Sequence, residues 1–336
     1  MNPPRRYWFV LHPDVSRPIG GVKQIHRLAE AIVASGREAI LIQDNKDFHP
    51  GWFHSTVETI SLKDWLQLTD LSPTRDALVL PETFINVISR YTTTLPVIIF
   101  NQNGSYSFGT DSISFKLSPQ SILKIYFSDV VSHVLCVSSH DYRLLTSGFG
   151  LPESKVSLIV NGLENGLFTP IPTKRKQISF MPRKNQLDAQ IVCSMLLKQP
   201  WMEGWSLKPI SGCSQPQVAS ILQESLLFLS FGHPEGFGLP VAEALSCGCA
   251  VVGYSGLGGR ELFSIAKKHH VCKEIGFGDW FGFVDATNQF VKGFIARPQW
   301  VLSHLKSCSS QIIASYNEET MNQSVFLALS NIENSL

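Results

Sequence analysis

Two glutamates and the loop between them are the residues best suited to chemistry in this sequence. Glu235 and Glu243 flank a loop that contains Gly236, Gly238 and Pro240, and an apolar strand-like run ends just before it. Glycine lets backbone N–H groups approach a ligand closely, and proline is favoured at the start of a helix. The spacing therefore predicts a loop at the carboxyl end of a strand that leads into a helix N-terminus, where phosphate and other anions bind.

The two carboxylates suit hydroxyl groups. An ionised carboxylate accepts hydrogen bonds through two oxygens, which matches a vicinal diol such as a ribose. We place Glu243 in the first helical turn, where the positive end of the helix keeps it ionised. Glu235 would meet the hydroxyls of a second moiety of the same ligand, so the loop could hold both ends of a nucleoside diphosphate sugar. For either glutamate alone, a structural role remains the alternative.

A pair of cations follows another predicted strand. The run QISFM ends at Arg183 and Lys184, just before a predicted helix. Two adjacent cations at that edge would neutralise a diphosphate, and the arginine adds a bidentate donor. The alternative is a solvated loop pair with no function.

The first half of the chain offers weaker candidates. Gly20 and Gly21 precede a predicted helix, His12 ends the first predicted strand, and Gln102 and Asn103 follow the run VIIF. The glycines would offer backbone N–H groups to phosphates, and the other three side chains would contact a sugar or an acceptor. Each also has an ordinary structural explanation as a turn residue or a satisfied histidine.

The elements that must position these residues alternate between short apolar strands and helices. The strand runs lack polar alternation, which is typical of parallel sheets covered on both faces. Residues 161–177 are rich in glycine, proline and charge, which indicates a linker. The sequence therefore predicts an α/β protein with two Rossmann-like, doubly wound domains facing a cleft. We place them at residues 1–165 and 166–311, with a C-terminal helix, 312–336, packing back on the first.

Composition excludes several classes of protein. The chain has 336 residues, 44% hydrophobic and 16% charged, which excludes intrinsic disorder. A formal net charge of +1 gives no overall attraction for nucleic acid. No apolar stretch approaches the roughly 18 residues of a membrane span, and the first apolar block is shorter than the roughly 7–15 residues of a signal-peptide core. We expect a cytoplasmic protein whose membrane contact, if any, is peripheral.

The seven cysteines support the same compartment. An odd count in a long chain does not suit a disulfide scaffold, so cysteines beside apolar runs are expected to be buried, reduced thiols. Cys247 and Cys249 are too close for the usual zinc spacing, and no second ligand pair follows. The cysteines in this group are Cys136, Cys193, Cys247, Cys249 and Cys272.

Taken together, these segments resemble the GT-B glycosyltransferases, specifically family 4 and its close relatives, over most of the chain. HPEGFGLPVAEALSCGCAVV resembles the Glu–seven residues–Glu loop of that family and the strand after it. LIVNGLENGLFTP, SFMPRK, PIGGV and HVLCVSSHDYRLL are similar to its domain boundary, the start of its second domain, its first glycine loop and a late strand and helix of its first domain.

The resemblance implies a retaining, hexosyl-type transfer from a nucleoside diphosphate sugar to a glycan, lipid or small-molecule acceptor, without a metal or other cofactor. Glu235 would hold donor-sugar hydroxyls, Glu243 the ribose, and Arg183 and Lys184 the diphosphate. The leaving phosphate would accept the acceptor's proton, so no side-chain base is needed. The absence of an Asp-x-Asp motif agrees with a metal-free reaction. The other implied donor-binding residues are Gly20, Gly21, Gly236, Phe237, Gly238 and Leu239.

One departure from the family lies in the first domain. Many members carry a histidine after the strand where this chain has NQNGSY. Gln102 or Asn103 would replace that contact by hydrogen bonding, although neither carries a proton at neutral pH. The alternatives are a sugar-nucleotide epimerase on the same fold and a catalytically degenerate binding protein. A nicotinamide dehydrogenase needs Gly-x-Gly-x-x-Gly after the first strand, which PIGGVKQIH lacks.

Overall fold

The structure is a computed structural model that describes residues 5–91, 94–109 and 115–335. Its internal contacts divide the chain into two compact units. Unit 1 comprises Met1–Gly162 and Glu319–Leu336, and unit 2 comprises Leu163–Glu318. The predicted boundaries lie at 165 and 312.

Unit 1 is built on a parallel sheet of seven strands in the order β3-β2-β1-β4-β5-β6-β7. Strands β1, β4 and β5 are buried along their whole length, which is why they appear in the sequence as continuous apolar runs. The short strand β3 was not predicted, because its residues are polar and partly exposed. The strands are β1 (Arg6–Val10), β2 (Glu38–Gln43), β3 (Glu58–Ser61), β4 (Asp76–Pro81), β5 (Val97–Asn101), β6 (Val131–Cys136) and β7 (Val156–Leu158).

The connections of unit 1 contain short and irregular helices. Helix α1 is the longest of its first four α-helices and packs on β2. Two 3₁₀ segments, Glu82–Arg90 and Gly104–Phe108, follow β4 and β5 directly. The helices are α1 (Gly20–Ala34), α2 (Leu62–Trp65), α3 (Pro119–Phe127) and α4 (Ser139–Arg143).

Unit 2 is built on a parallel sheet of five strands in the order β12-β11-β10-β8-β9. The two doubly wound α/β sheets of the prediction are thus confirmed. The strands are β8 (Arg175–Phe180), β9 (Ser206–Pro209), β10 (Ser225–Ser230), β11 (Ala250–Gly253) and β12 (Cys272–Glu274). The helices are α5 (Gln186–Leu196), α6 (Gln215–Glu224), α7 (Leu239–Ser246), α8 (Arg260–Lys268), α9 (Trp280–Ala296) and α10 (Pro298–Ser315).

The last helix, α11 (Glu318–Ser335), belongs to unit 1 apart from its first residue. Glu333 accepts a hydrogen bond from the Arg37 guanidinium at 2.7 Å and another from the Tyr7 hydroxyl at 3.0 Å. Ser324 Oγ accepts a hydrogen bond from the Val160 amide at 2.9 Å. These contacts attach α11 to β1, to the residue that precedes β2 and to the segment after β7.

Each sheet has a point at which the strand order reverses. In unit 1 it lies between β1 and β4, and in unit 2 between β8 and β10. Open parallel sheets bind ligands beyond the carboxyl ends of the strands at such a switch point, because the crossover helices diverge there. The residues after these four strands are therefore the first candidates for function.

All seven cysteines are free thiols. Cys136, Cys193, Cys247 and Cys249 are buried, and burial raises the pKa of Cys193 to about 11. Cys272 is only partly buried, contrary to prediction, because it lies on the edge strand β12. None of the helices in the described part of the chain is long and apolar enough to cross a lipid bilayer.

Candidate functional site

Three loops converge beyond the carboxyl edge of the unit 2 sheet. They follow β8, β10 and β11, which are adjacent strands. Asn185, after β8, donates through Nδ2 to the carbonyl oxygens of Phe231 and His233, at 2.7 and 3.0 Å. Glu235, after β10, donates its N–H to Gly256 O at 2.7 Å and accepts from the Gly258 N–H at 3.0 Å. The backbone on both sides of Glu235 is therefore held by the loop after β11.

Two residues predicted to act together meet at the switch point of unit 2. Lys184 Nζ lies 2.9 Å from Glu235 Oε1 and donates to Pro234 O at 2.7 Å. The two side chains retain 22% and 23% of their exposure, so both remain accessible to a ligand. Arg183 is exposed and forms no ion pair within the described ranges. The site thus offers a carboxylate and an ammonium group side by side, with a second cation next in sequence.

The loop after β11 contains glycines that were not among the predicted site residues. A Cβ on Gly258 would overlap the carbonyl oxygen of Gly236, and a Cβ on Gly256 would lie 2.6 Å from Glu235 Cβ. Side chains at these positions would push the two loops apart. The signal in the sequence was the glycine-rich run GYSGLGG directly after an apolar strand, the same pattern that marked the other loop.

Glu243 lies deeper in its helix than predicted. Helix α7 begins at Leu239, because Gly238 has a left-handed conformation (φ 89°) and ends the loop. Glu243 is therefore the fifth helical residue, and no acidic residue occupies the first turn. The charge of the helix terminus acts mainly within that turn, so the predicted interaction of Glu243 with the helix end is not supported. The side chain is 7% exposed, and its role towards a ribose remains a prediction.

Two other predicted loop residues differ in their exposure. Phe237 is 3% exposed and packs against Tyr316, with ring centroids 5.1 Å apart. Its side chain belongs to the core, so only its backbone could meet a donor, and the prediction is corrected to that extent. Leu239 is partly exposed at the start of α7.

Three helices of unit 2 begin around the Glu235 loop without a side-chain cap. Their N-cap residues are Asn185 for α5, Gly238 for α7 and Gly259 for α8, and none makes a side-chain cap bond to another described residue. Helix α9, by contrast, is capped by Asp279, which accepts from the Gly282 N–H at 2.8 Å. Such helix N-termini carry a partial positive charge that attracts an anion, although the Val241 and Arg260 N–H groups already donate to the carbonyl oxygens of Gly238 and Leu257.

An aromatic network supports these loops. The Tyr254 hydroxyl donates to Asp188 Oδ2 at 2.7 Å and accepts from the Gly278 N–H at 3.0 Å. His233 stacks on Phe277 with ring centroids 4.5 Å apart. Burial lowers the pKa of His233, and the nearby Lys184 lowers it further, so the imidazole is neutral at neutral pH. The network ties α5 to the loops after β10, β11 and β12.

In unit 1 a buried carboxyl lies at the switch point. Glu82 directly follows β4, is 3% exposed, and accepts from the Gln102 N–H at 3.0 Å. Burial raises the pKa of Glu82 to about 8, and the negative charge of Asp141 adds to the shift. Glu82 was not among the predicted site residues, because it ends the apolar run DALVLPE, which predicts only a strand; β4 itself ends at Pro81.

The structure brings two predicted residues of unit 1 together. A Cβ built on Gly21, in the first turn of α1, would lie 3.3 Å from Gln102 Oε1. Gly20 is the first residue of the same helix. Asn103 has a structural role, because its Oδ1 accepts from the Ser105 N–H at 3.1 Å and caps a 3₁₀ segment.

His12 has a partner within unit 1. Its Nε2 lies 2.7 Å from the Tyr91 hydroxyl. Burial lowers the pKa of His12 despite the nearby carboxylates of Asp44 and Asp14, so the ring is neutral at neutral pH. The satisfied-histidine explanation accounts for this residue. In the ranges that the structure describes, no group of three or more His, Cys, Asp or Glu side chains could hold a metal ion.

Comparison with known proteins found a short match in sequence and matches in structure over nearly the whole chain. No family model matches the chain. A curated α-1,6-glucosyltransferase from Actinobacillus pleuropneumoniae serotype 7 (strain AP76) is 29% identical over 118 residues, 34% of this chain and 34% of that protein. The match thus spans about a third of the curated relative.

Solved structures match over nearly the full length. Anabaena HepE in complex with UDP-glucose superposes with a TM-score of 0.70 at 13% identity, covering 97% of this chain and 99% of HepE. Sucrose-phosphate synthase from Thermosynechococcus elongatus gives a TM-score of 0.68 at 13% identity, covering 97% of each chain. With two parallel sheets of this order, the chain has the fold of the GT-B glycosyltransferases.

Proposed function

We propose that this chain is a glycosyltransferase that binds a nucleoside diphosphate sugar through unit 2. The observation that carries the proposal is the Lys184–Glu235 pair at the switch point, surrounded by three uncapped helix N-termini. An ammonium group and helix N–H groups suit a diphosphate, and a carboxylate suits hydroxyls. A nucleoside diphosphate sugar presents these groups in succession.

The same residues suit the chemistry of transfer. Negative charge develops on the diphosphate as its bond to the sugar breaks, and preorganised positive groups stabilise that charge. Lys184 and the exposed Arg183 supply full charges, and the ends of α5, α7 and α8 supply partial ones. Glu235 accepts hydrogen bonds from the sugar. The backbone bonds to Gly256 and Gly258 keep its Cα in place while the side chain exchanges Lys184 for a ligand.

The finer features of the reaction rest on the sequence resemblance. The Glu–seven residues–Glu loop supports retention of the anomeric configuration, with the leaving phosphate as the group that accepts the acceptor's proton. Lys184 beside Glu235, with Arg183 next to it in sequence, supports a reaction that needs no metal ion, since these cations supply the charge that a metal would otherwise provide.

Two named relatives indicate which donor to test first. Anabaena HepE is described in complex with UDP-glucose and with UDP and glucose, and the Actinobacillus protein is an α-1,6-glucosyltransferase. UDP-glucose is therefore the donor to test first. We infer that the acceptor carries sugar hydroxyls, as part of a glycan, a lipid or a small molecule.

The proposal is tested by thermal shift with a panel of nucleoside diphosphate sugars, followed by transfer assays with and without a chelator. Ligand at a hundredfold excess over its Kd should stabilise the folded protein by about 2.7 kcal/mol. Transfer should persist in chelator, and the product should keep the anomeric configuration of the donor by NMR. A panel without any shift or transfer would contradict the proposal, and conversion of the sugar nucleotide without an acceptor would indicate an epimerase.

A further inference from the structure

The end of unit 2 opposite to the Glu235 loop is formed by helix ends. All five strands are parallel, so a helix that connects two of them begins at the carboxyl edge of the sheet and ends at the amino edge. Helices α5 and α8 therefore end there, before β9 and β12. Trp205, which precedes β9, contacts Phe294 near the end of α9, with ring centroids 6.0 Å apart. Helix α10 begins at the same edge, because Arg297 alone separates it from α9.

The first turns of α10 pack against the residues that follow α8. The ring of His270 lies 6.1 Å from that of Trp300 and 6.0 Å from that of His304. The rings of Trp300 and His304 are 3.9 Å apart. The Arg297 guanidinium lies over the indole of Trp300, with Cζ 4.9 Å from the ring centroid, as in a cation–π pair. These contacts hold the indole of Trp300 at the surface.

Three large apolar side chains are exposed along this edge. Leu197, directly after α5, is 67% exposed, Ile295 at the end of α9 is 61% exposed, and Trp300 is 39% exposed. Leu197 and Trp205 line one open cavity, and the contact of Trp205 with Phe294 continues the surface from α5 to α9. Apolar side chains that are grouped on a surface in this way mark a site of contact.

The same edge carries positive charge. Lys267 and Lys268 end α8, and Arg297 precedes α10. All three are exposed, and none forms an ion pair with a carboxylate in the part of the chain that the structure describes. The sequence has no acidic residue at positions 262–273 or 286–317, the segments that supply these cations. The charge of the three cations is therefore available to an anionic partner.

Two acidic residues also lie at this edge, but they offset little of the charge. Glu224, which ends α6, pairs with Arg175 at 3.3 Å, and Glu203 is exposed just before β9. We use the name amino-edge surface for the combined set of apolar and basic residues. They are Leu197, Lys267, Lys268, Ile295, Arg297 and Trp300.

We propose that the amino-edge surface is a docking site for an anionic lipid bilayer. Tryptophan is favoured at the boundary between headgroups and hydrocarbon, leucine and isoleucine bury apolar area there, and lysine and arginine attract anionic headgroups. A nucleic acid or an acidic polymer would engage the cations and leave the aliphatic side chains in water. A second copy in a two-fold dimer would bring like charges together.

The inference goes beyond the proposed function and does not depend on it. Helix α9 has 17 residues and runs about 25 Å from the carboxyl edge to the amino edge. A bilayer bound at the amino edge therefore does not cover the Glu235 loop.

The two ends of α9 provide a matched control. Phe281, in the first turn, is 76% exposed and lies two residues after Asp279, an exposed acid that an anionic bilayer repels. Ile295 lies two residues before Arg297, which such a bilayer attracts. Phe281→Ala and Ile295→Ala thus remove exposed apolar side chains from opposite edges of one helix. The pair separates an effect of position from a general effect of lost apolar area.

The first measurement is co-sedimentation of the full chain with vesicles of phosphatidylcholine alone and of equal parts phosphatidylcholine and phosphatidylglycerol. We expect the wild type to bind the anionic vesicles about a hundredfold more strongly, because each cation near the surface adds to the attraction. Added salt should weaken this binding. No binding to anionic vesicles, or equal binding to both kinds, would overturn the proposal. Binding to heparin without binding to vesicles would assign the surface to an acidic polymer and overturn it as well.

The second measurement compares variants on the anionic vesicles. Lys267→Gln combined with Lys268→Gln should weaken binding about tenfold. Ile295→Ala should weaken it about fivefold, because less apolar area is buried. Phe281→Ala, and Lys208→Gln at an exposed lysine of β9, should bind as the wild type does. Equal results for Ile295→Ala and Phe281→Ala would overturn the proposal. Thermal unfolding shows that each variant is folded.

Trp300 reports the orientation of the bound protein. Brominated lipid quenches tryptophans that reach the bilayer, so quenching should be smaller in Trp300→Phe than in the wild type. Undiminished quenching in Trp300→Phe would show that another face meets the bilayer, which overturns the assignment. UDP binding and sugar transfer in solution should be unchanged in Ile295→Ala. A wild type that binds vesicles but neither binds UDP nor transfers sugar would overturn the proposed function and leave the docking site standing.

Discussion

The two switch points share a topology and differ in their charge. In unit 2, Lys184 lies 2.9 Å from Glu235, and both side chains are partly exposed. In unit 1, the carboxyl of Glu82 is buried against backbone amides, and His12 is held neutral by burial. The edge of unit 2 presents charged side chains to a ligand, whereas at the edge of unit 1 a buried carboxyl binds backbone amides.

This difference shows that the topology of a doubly wound sheet provides a ligand site at its carboxyl edge, whereas the side chains at that edge determine which ligand binds. Accessible cations favour a phosphate, because their attraction for the anion offsets the free energy that the phosphate loses when its hydrating water is removed. A neutral carboxamide such as Gln102 favours hydroxyl groups, which carry no charge to compensate. The following predictions test whether the two edges divide the substrate in this way.

The largest effect is expected from Gly258→Ala. The new methyl group would overlap the Gly236 carbonyl oxygen, so the loops after β10 and β11 must separate. We expect a loss of about 3 kcal/mol in the free energy of unfolding, measured by urea denaturation. Gly276→Ala is the control, because nothing lies within 4 Å of its Cβ position. Equal stability of the two variants would show that the close packing at Gly258 is not required.

Glu235→Gln should lower kcat/KM for sugar transfer by about a hundredfold, because an uncharged amide binds the sugar hydroxyls less strongly. The affinity for UDP, which lacks the transferred sugar, should change much less. Glu203→Gln serves as the control, since Glu203 is an exposed residue of unit 2. Wild-type turnover in Glu235→Gln would remove this residue from the proposed site.

Lys184→Met should weaken UDP binding by about tenfold, because the substitution keeps the apolar stem and removes the charge that meets the diphosphate. Arg183→Ala should have a smaller effect, since Arg183 is more exposed. Titration calorimetry at two salt concentrations measures both, with Lys198→Met as an exposed control. If Lys184→Met leaves UDP affinity and its salt dependence unchanged, the diphosphate does not bind at this edge.

The smallest effect concerns pH and Glu82. Its pKa is raised from 4.5 to about 8, so its contribution to stability is full below pH 4.5 and is lost as the pH rises towards 8. We expect the wild type to lose about 1 kcal/mol relative to Glu82→Gln between pH 6 and 7. Comparing the two proteins cancels opposing groups such as His26, whose pKa burial lowers to about 3. Parallel pH profiles of the two proteins would contradict a buried, titrating Glu82.

Much of the architecture was predictable because parallel strands carry a strong local signal. The buried runs at β1, β4, β5, β10 and β11 were predicted as strands, and they are the centres of the two sheets. The edge strands β3 and β12 are short and partly exposed, and neither was predicted as a strand. Their pairing depends on a neighbouring strand that is distant in sequence.

The candidate site was predictable only in part, for the same physical reason. Glu235 and Lys184 each follow a strand, and the sequence predicted that both lie at one edge of a sheet, although not that they form an ion pair. Glu243 lies one residue beyond the first helical turn in which it was predicted, because the conformation of Gly238 decides where α7 begins. The inward-facing side chain of Phe237 depends on Tyr316, which lies far along the chain.

The sequence by itself determined the type of fold and the short segments that end its strands, since apolar periodicity and glycine placement act over a few residues. Only the tertiary structure decided that Gly258 packs on the Glu235 loop and that Glu82 binds the turn at Gln102. These contacts join residues about 20 positions apart in the chain. Hydrogen bonds and close packing of this kind depend on the assembled sheet, and no local pattern encodes them.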